Sequence, residues 1–167
     1  MYRIERISKS HDKTSFDCGV DALNTFLQRY ARQNDRKGLS RTYVLLEDGS
    51  DTVVGFYTLS AGSISFSSIP DTVKLPRYPI PTVHLGRLAT SLSVRGRGLG
   101  ELLLIDAMQR AVAASHSVGV FAIDVIAKSK EARRFYEDRS FIPLVDEPLH
   151  LFLPIATAEA ALEQADG

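Results

Sequence analysis

The chain has 167 residues, 44% of them apolar and 24% charged, with 20 Lys+Arg balanced by 20 Asp+Glu and a formal net charge of zero. This is the profile of an ordinary globular chain long enough to bury a core, and it excludes nucleic-acid binding driven by global charge. A single cysteine, Cys18, excludes an internal disulfide or a cysteine-rich zinc site, and His11, His84, His116 and His150 are scattered without metal-ligand spacing, so no metal is expected. The N-terminal MYRIERISKSHDK lacks the apolar core of a signal peptide, and no run approaches the ~18 apolar residues of a membrane span. The expectation is one cytoplasmic domain over 1–167, with 155–167 as a tail.

In chain order, YRIERI alternates and predicts a first strand. FDCGVDALNTFLQRYARQ predicts a helix, with Asp17 as its N-cap and Val20, Leu23, Phe26, Leu27, Tyr30 and Ala31 on its apolar face. RQNDRKGLSR is polar and basic, a helix end or a loop. TYVLLEDGSDTVVGFYTLSAG predicts two strands joined in a hairpin at EDGSD. SSIPDTVKLPRYPIP holds four of the seven prolines and predicts an irregular excursion. TVHLGRLATSLSV resumes strand character. LGELLLIDAMQRAVAAS predicts a helix with one narrow polar stripe, Asp106, Gln109 and Arg110, and hence burial on most sides. VGVFAIDVIA predicts a central strand. SKEARRFYEDRS predicts a helix capped by Ser129, FIPLV and LHLFLP close the sheet, and the tail predicts a frayed helix. Strand, glycine loop, helix and strand in that order form a βαβ unit with parallel strands. The short-turned strands around it make the sheet mixed, within an α/β (α+β) class.

Between strand and helix lies SVRGRGLGELLL. Unpaired amides at a helix start, together with the helix dipole, attract anions, and glycines let a ligand approach the backbone. Gly96, Gly98 and Gly100 therefore predict a phosphate cradle, with Arg95 and Arg97 adding charge-assisted donors. The Rossmann spacing fails at Glu101, and the G-K-[S/T] of the P-loop is absent. A glycine-rich turn with solvated arginines is the competing reading of this loop alone.

Arg95-Gly96-Arg97-Gly98-Leu99-Gly100 resembles the pyrophosphate-binding motif R-x-x-G-x-G of GNAT N-acetyltransferases, which follows the fourth strand and opens the third helix. ARRFYEDRSF, Ala132 to Phe141, is similar to that family's later motif A-x-x-x-Y-E-x-x-G-F, with Tyr136 at the tyrosine and Ser140 where glycine is usual. The resemblance implies a mixed central sheet with splayed parallel strands, flanked by helices. FDCGVDALNTFL, SRTYVLLE, GFYTLSAG, LPRYPIPTVHLGRLATS and GLGELLLIDAMQRA further resemble the GNAT toxins of bacterial toxin–antitoxin modules, from about Phe16 to Pro154. Members usually read LAV where Thr90 stands here. What that likeness implies is acetylation of the α-amine of aminoacyl-tRNA by acetyl-CoA, arrest of translation, and neutralisation by a ribbon-helix-helix antitoxin. A homodimer is also allowed.

By the same resemblance, the backbone near Leu88, Ala89 and Thr90 pairs with the pantetheine arm and holds the oxyanion. Residues 95 to 100 bind pyrophosphate, Ser129 and Phe135 make further cofactor contacts, and Tyr136 is the general acid. Ser129 stands where many members have asparagine. A phenol of pKa ~10 keeps its proton at neutral pH for the departing thiolate. HLGRLATS offers no carboxylate base; Asp124 on the next strand is the nearest candidate, against a surface or ion-paired role, and His84 reads as structural. The missing base favours an amine of low pKa, such as the ~8 of an α-amine. For the tRNA backbone, Arg29, Arg32, Arg36, Lys37 and Arg41 fall in one segment, and Lys128, Lys130, Arg133 and Arg134 surround the later helix. Arg77 and Arg87 join this set. The alternatives are solvated charged faces balanced by acids, and a role for some in binding the 3′-phosphate of coenzyme A. At the level of function, the alternatives are an ordinary GNAT acting on a small amine or protein, and a silent acyl-CoA-binding module.

Overall fold

The computed structural model describes residues 1–75 and 77–166, residue 166 by its backbone alone. Seven strands form one sheet: β1 (Tyr2–Arg6), β2 (Arg41–Glu47), β3 (Val53–Ile64), β4 (Ile80–Thr90), β5 (Ala122–Ile126), β6 (Ile142–Pro143) and β7 (His150–Pro154). Their order is β1-β2-β3-β4-β5-β7-β6. The sheet is mixed, as the pattern predicts. β1, β2 and β3 pair antiparallel, β4 and β5 pair parallel, and β7 pairs antiparallel with both β5 and β6. The parallel ladder runs only from Thr82↔Ala122 to Leu85↔Val125, so Gly86 to Thr90 of β4 lie beyond it.

Five α-helices accompany the sheet: α1 (Asp21–Thr25), α2 (Ala31–Lys37), α3 (Leu99–Ser115), α4 (Lys130–Glu137) and α5 (Ile155–Asp166). Asp17 does not cap the first of them. Its carboxylate accepts from the Gly19 amide at 2.9 Å and from the Asn24 side chain at 3.0 Å, which closes a turn ahead of the helix. A π-turn, Phe26–Tyr30, joins α1 to α2, and it displaces the predicted apolar face. Phe26, Leu27 and Ala31 are buried, whereas Val20 and Tyr30 are each 49% exposed. RQNDRK continues the helix to Lys37, where Gly38 at φ +76° ends it. The strand expected over residues 82–94 stops at Thr90, and Leu92–Val94 turn into a 3-10 helix instead.

α3 also differs from expectation. It buries one face, Leu103, Leu104, Ala107, Met108, Ala111 and Val112, and leaves Leu102 and Ile105 exposed. Apolar residues surround most of the helix outside its polar stripe, but burial is confined to one face. Asp106 serves no solvent stripe; it accepts a short hydrogen bond from the buried Tyr57 hydroxyl.

The chain divides into two compact units, Met1–Ser60 with Gly86–Ala107, and Ala61–Leu85 with the residues from Met108 onward. In the first, Phe16, Phe26 and Phe56 centre the core, with ring centroids 5.5 and 6.2 Å apart. Burial by itself would raise the pKa of Asp35 on α2, but the Arg6 guanidinium at 2.6 Å, the Thr42 amide at 3.1 Å and Arg41 hold it below the usual carboxylate value. In the second unit, Ile64, Ile69, Ile80, Ala122, Leu144 and Phe152 form the core. Ser129 caps α4 as predicted, its hydroxyl accepting from the Ala132 amide at 3.1 Å.

α4 ends in a turn that explains the family preference for glycine. Ser140 has φ +72°, the one positive φ outside glycine among the described residues, and the Phe141 amide then returns to the Tyr136 carbonyl at 3.1 Å. A left-handed side-chain residue costs about 1–2 kcal/mol, and glycine gives part of that back as chain entropy. Ser140→Gly should therefore raise stability by about 0.5–1 kcal/mol, a Tm increase of a few °C in a chain of this size. Thermal unfolding of the two proteins checks this; an unchanged or lower Tm means the turn carries no such strain.

Candidate active site

In the first unit, the end of β4 leads through Leu92–Val94 and a glycine turn into α3. The segment is tied to residues 17–18 and 54. The Ser91 amide donates to the Val54 carbonyl at 2.8 Å, the Leu92 amide to the Asp17 carbonyl at 2.8 Å, and the Arg95 guanidinium to the Cys18 carbonyl at 2.6 Å. Arg97 donates to the Tyr2 hydroxyl at 3.0 Å and lies 3.5 Å from Glu47. Both arginines are exposed, and their contacts tie the loop to Cys18 and Tyr2. Gly96 and Gly98 have φ +83° and +74°, and a Cβ on either would meet nothing within 4 Å. Their requirement is conformational, and the space beside them is open. The amides of Gly96, Gly98, Leu99 and Gly100 donate to no backbone carbonyl among the described residues. Of the preceding strand positions, Ala89 is buried, and Leu88 and Thr90 are half-buried.

In the second unit, Tyr136 sits on α4 at 6% exposure, edge-on to Phe135 and Phe141 with centroids 5.2 and 5.3 Å away. Burial pushes its pKa up to about 12. Its hydroxyl takes no hydrogen bond among the described residues. The Arg139 guanidinium covers the Phe135 ring at 3.9 Å.

The same unit joins Asp124 and His84, which the sequence named separately as the nearest candidate base and a structural histidine, with Thr82 and His150 in one polar cluster. Asp124 on β5 is 2% exposed, so it is no surface residue. Its Oδ1 accepts from the Thr82 hydroxyl at 2.7 Å, and its Oδ2 lies 2.9 Å from His84 Nδ1 and 2.7 Å from His150 Nε2. His150 Nδ1 is 3.3 Å from Glu147. Burial would raise the Asp124 pKa, but the hydrogen bonds from His84 and Thr82, the charge of His84 and the bond from His150 hold it below the usual value. β3 faces the cluster with Gly62, where a Cβ would stand 2.9 Å from Thr82 Oγ1 and 3.1 Å from His84 Cβ. The available signal was a histidine and an aspartate facing each other across the β4–β5 register, His84↔Asp124. Among the described residues no group of His, Cys, Asp or Glu is arranged to hold a metal ion.

The basic residues divide by surroundings. Arg36, Lys37, Arg77 and Lys128 are exposed, and Arg32 is half-buried. Arg41 donates to the Asp35 carbonyl, and Arg133 pairs with Glu137 at 2.8 Å. Arg87 lies over the Phe26 ring at 3.6 Å. Arg77, with Tyr78 and Pro79, lines an open cavity of about 450 Å³ beside Ser63–Ser67.

A family model described as "Acetyltransferase (GNAT) family" matches residues 5–141. The chain is 42% identical over 159 residues, 94% of either chain, to the tRNA-acetylating toxin of Mycobacterium tuberculosis. It superposes on AtaT complexed with acetyl-methionyl-tRNAfMet with a TM-score of 0.91 at 33% identity, covering 97% of this chain and 99% of that one. It superposes on an AtaT mutant bound to acetyl-CoA and the C-terminus of the antitoxin AtaR with a TM-score of 0.83 at 32% identity, covering 98% and 99%. No helix among the described residues is long and apolar enough to cross a membrane.

The Asp124 cluster sets an acid limit on stability. A carboxylate whose pKa is lowered by folding stabilises the fold above its unfolded value near 3.8, and that stabilisation disappears as pH falls through the lower folded value. At pH 7, Asp124→Asn should cost about 3 kcal/mol, because charge-assisted bonds in a buried site are lost. Below pH ~4 the gap to wild type should narrow by up to about 1.4 kcal/mol per pH unit. Urea unfolding across pH 2–7 measures it; parallel curves at acid pH would show that Asp124 is not the group responsible.

Proposed function

The chain belongs to the GNAT acetyltransferase family, and from that premise we propose that it is a cytoplasmic toxin that acetylates the α-amine of aminoacyl-tRNA with acetyl-CoA. A ribbon-helix-helix antitoxin restrains it, and the reading is compatible with a homodimer. The observation that carries the donor assignment is the set of four amides, unpaired among the described residues, that opens α3 beside two left-handed glycines. Such a row is what a pyrophosphate needs: several N–H donors at the positive end of a helix, with no side chain in the way. The relatives' names and complexes support the acceptor assignment.

In this reading residues 95 to 100 bind the pyrophosphate of acetyl-CoA by their backbone, while the Arg95 and Arg97 side chains keep the loop in shape. Leu88, Ala89 and Thr90 offer backbone groups to the pantetheine arm and the developing oxyanion. Phe135 supplies an apolar contact to the cofactor. Ser129 contributes mainly by capping α4, since its hydroxyl already accepts from Ala132. Tyr136 acts on the leaving sulfur. With a pKa near 12 it holds its proton firmly, and full transfer to a thiolate of pKa ~8.5 is uphill by about 5 kcal/mol. The hydroxyl therefore acts as a hydrogen-bond donor that strengthens as the C–S bond breaks, with transfer completed late. Arg32, Arg36, Lys37, Arg77 and Lys128 serve the RNA backbone; Arg41, Arg87 and Arg133, already engaged, contribute less.

Gly98→Asp should abolish measurable acetyl-CoA binding in calorimetry, since it adds a side chain at φ +74° and a negative charge among the amides. Unchanged affinity in the folded variant removes the loop from the site. Wild-type protein should transfer labelled acetyl from acetyl-CoA to total charged tRNA and arrest growth when expressed without its antitoxin. Tyr136→Phe should lower kcat by about 10²–10⁴-fold with acetyl-CoA affinity intact, because the hydroxyl matters to the transition state. A protein that acetylates only small amines and is harmless in the cell is an ordinary GNAT.

A further inference from the structure

The proposed reaction leaves one proton without a destination. As the amine nitrogen bonds to the acetyl carbon it must lose a proton, and neither the glycine loop nor Tyr136 accepts one. The Asp124 cluster has the chemistry for this. An ionised carboxylate only accepts hydrogen bonds, so its contacts require a proton on His84 Nδ1 and on His150 Nε2. That fixes the tautomer of His84 and leaves a lone pair on Nε2 in the neutral ring. Among the described residues His84 Nε2 has no partner, and the side chain is 28% exposed. His150 differs: its second nitrogen faces Glu147 at 3.3 Å, so both ends of its ring are engaged. The charged and titratable groups facing His84 are thus Asp124 from β5 and, beyond it, His150 and Glu147 from β7 and its approach. β3 contributes the bare Gly62, which makes room for the ring's Cβ.

We propose that His84 is the general base of this chain, taking the acceptor amine's proton at Nε2 directly or through one water, and that Asp124 is its positioning residue. The inference rests on the acetyl-transfer reading above. Neutral amine attacks the acetyl carbonyl, the N–C bond forms, and the nitrogen's proton passes to Nε2. The C–S bond breaks, the sulfur takes the Tyr136 proton, and the imidazolium and phenolate are reset by proton exchange with solvent. One amide and one free thiol result. Asp124 holds the ring's orientation and steadies the imidazolium, the service a carboxylate gives a catalytic histidine elsewhere.

The test uses acetyl-CoA with two acceptors, total charged tRNA and glycinamide, a small α-amine. His84→Gln should lose about 10²-fold or more in kcat toward both acceptors, with acetyl-CoA affinity unchanged. Free-base imidazole should restore a large part of the rate of His84→Ala, which a merely structural histidine would not permit. Asp124→Asn should slow wild type but add little to His84→Ala, because the two act as one unit. His116→Gln, an exposed residue outside the cluster, serves as the control with wild-type rates. Near-normal kcat in His84→Gln overturns the proposal, as does a loss that imidazole does not relieve. If wild type acetylates glycinamide but not charged tRNA, the tRNA reading fails while the glycinamide arm still decides the role of His84. Transfer to neither acceptor overturns both.

Discussion

The pyrophosphate site proposed for this chain depends on a row of backbone amides that no carbonyl among the described residues engages where β4 turns into α3. Buried amides almost always find a carbonyl, so an unpaired row persists only where the backbone is both exposed and held. Here the holding is done from the first unit itself. Hydrogen bonds to Val54, Asp17 and Cys18 fix the approach, and two left-handed glycines complete the turn. Arg95 and Arg97 also tie this loop to Cys18 and Tyr2. An anion site built from amides does not depend on long, mobile side chains, and its strength comes from geometry fixed before the ligand arrives.

The second unit solves a different problem, that of keeping polar groups inside a sheet. Asp124 lies on a strand whose neighbours are Ile123 and Val125, where an unpaired carboxylate would be untenable. Thr82, His84 and His150 supply three donors to its two oxygens. Tyr136 stands in the opposite condition, enclosed by aromatic rings and, among the described residues, without a polar partner, and its burial is why its proton is so firmly held. One unit thus carries a strongly held proton and a lone pair fixed by a carboxylate, the two complementary halves of proton traffic in acyl transfer.

Much of this was legible beforehand, for identifiable reasons. The βαβ unit followed from the glycine punctuation, and the cap at Ser129 from its position ahead of an amphipathic helix. The resemblance of two spaced motifs carried the family, which the relatives then established. What escaped was whatever depends on contacts distant in sequence. Asp17 looks like a helix cap until its carboxylate is found closing a turn with Gly19 and Asn24. α3 looks enclosed because periodicity cannot say how much of a helix the rest of the chain covers. The histidines looked scattered because His84 and His150 meet only through Asp124, and strand register is not written in any one segment.

The π-turn in the first helical region has a consequence for how its surface evolves. A π-turn accommodates one residue more than the regular helix would, and each residue of an α-helix advances by about 100°. The wider π-turn spreads about the same rotation over one residue more, so the rotational setting of Arg32, Arg36 and Lys37 relative to Phe26 and Leu27 is kept despite the extra residue. Losing the extra residue between Phe26 and Tyr30 would regularise the helix and leave the basic face aimed as it is, with every arginine still present. The π-turn is thus a place where the helical region can change length by one codon without re-aiming Arg32, Arg36 and Lys37, a tolerance no inventory of basic residues would register.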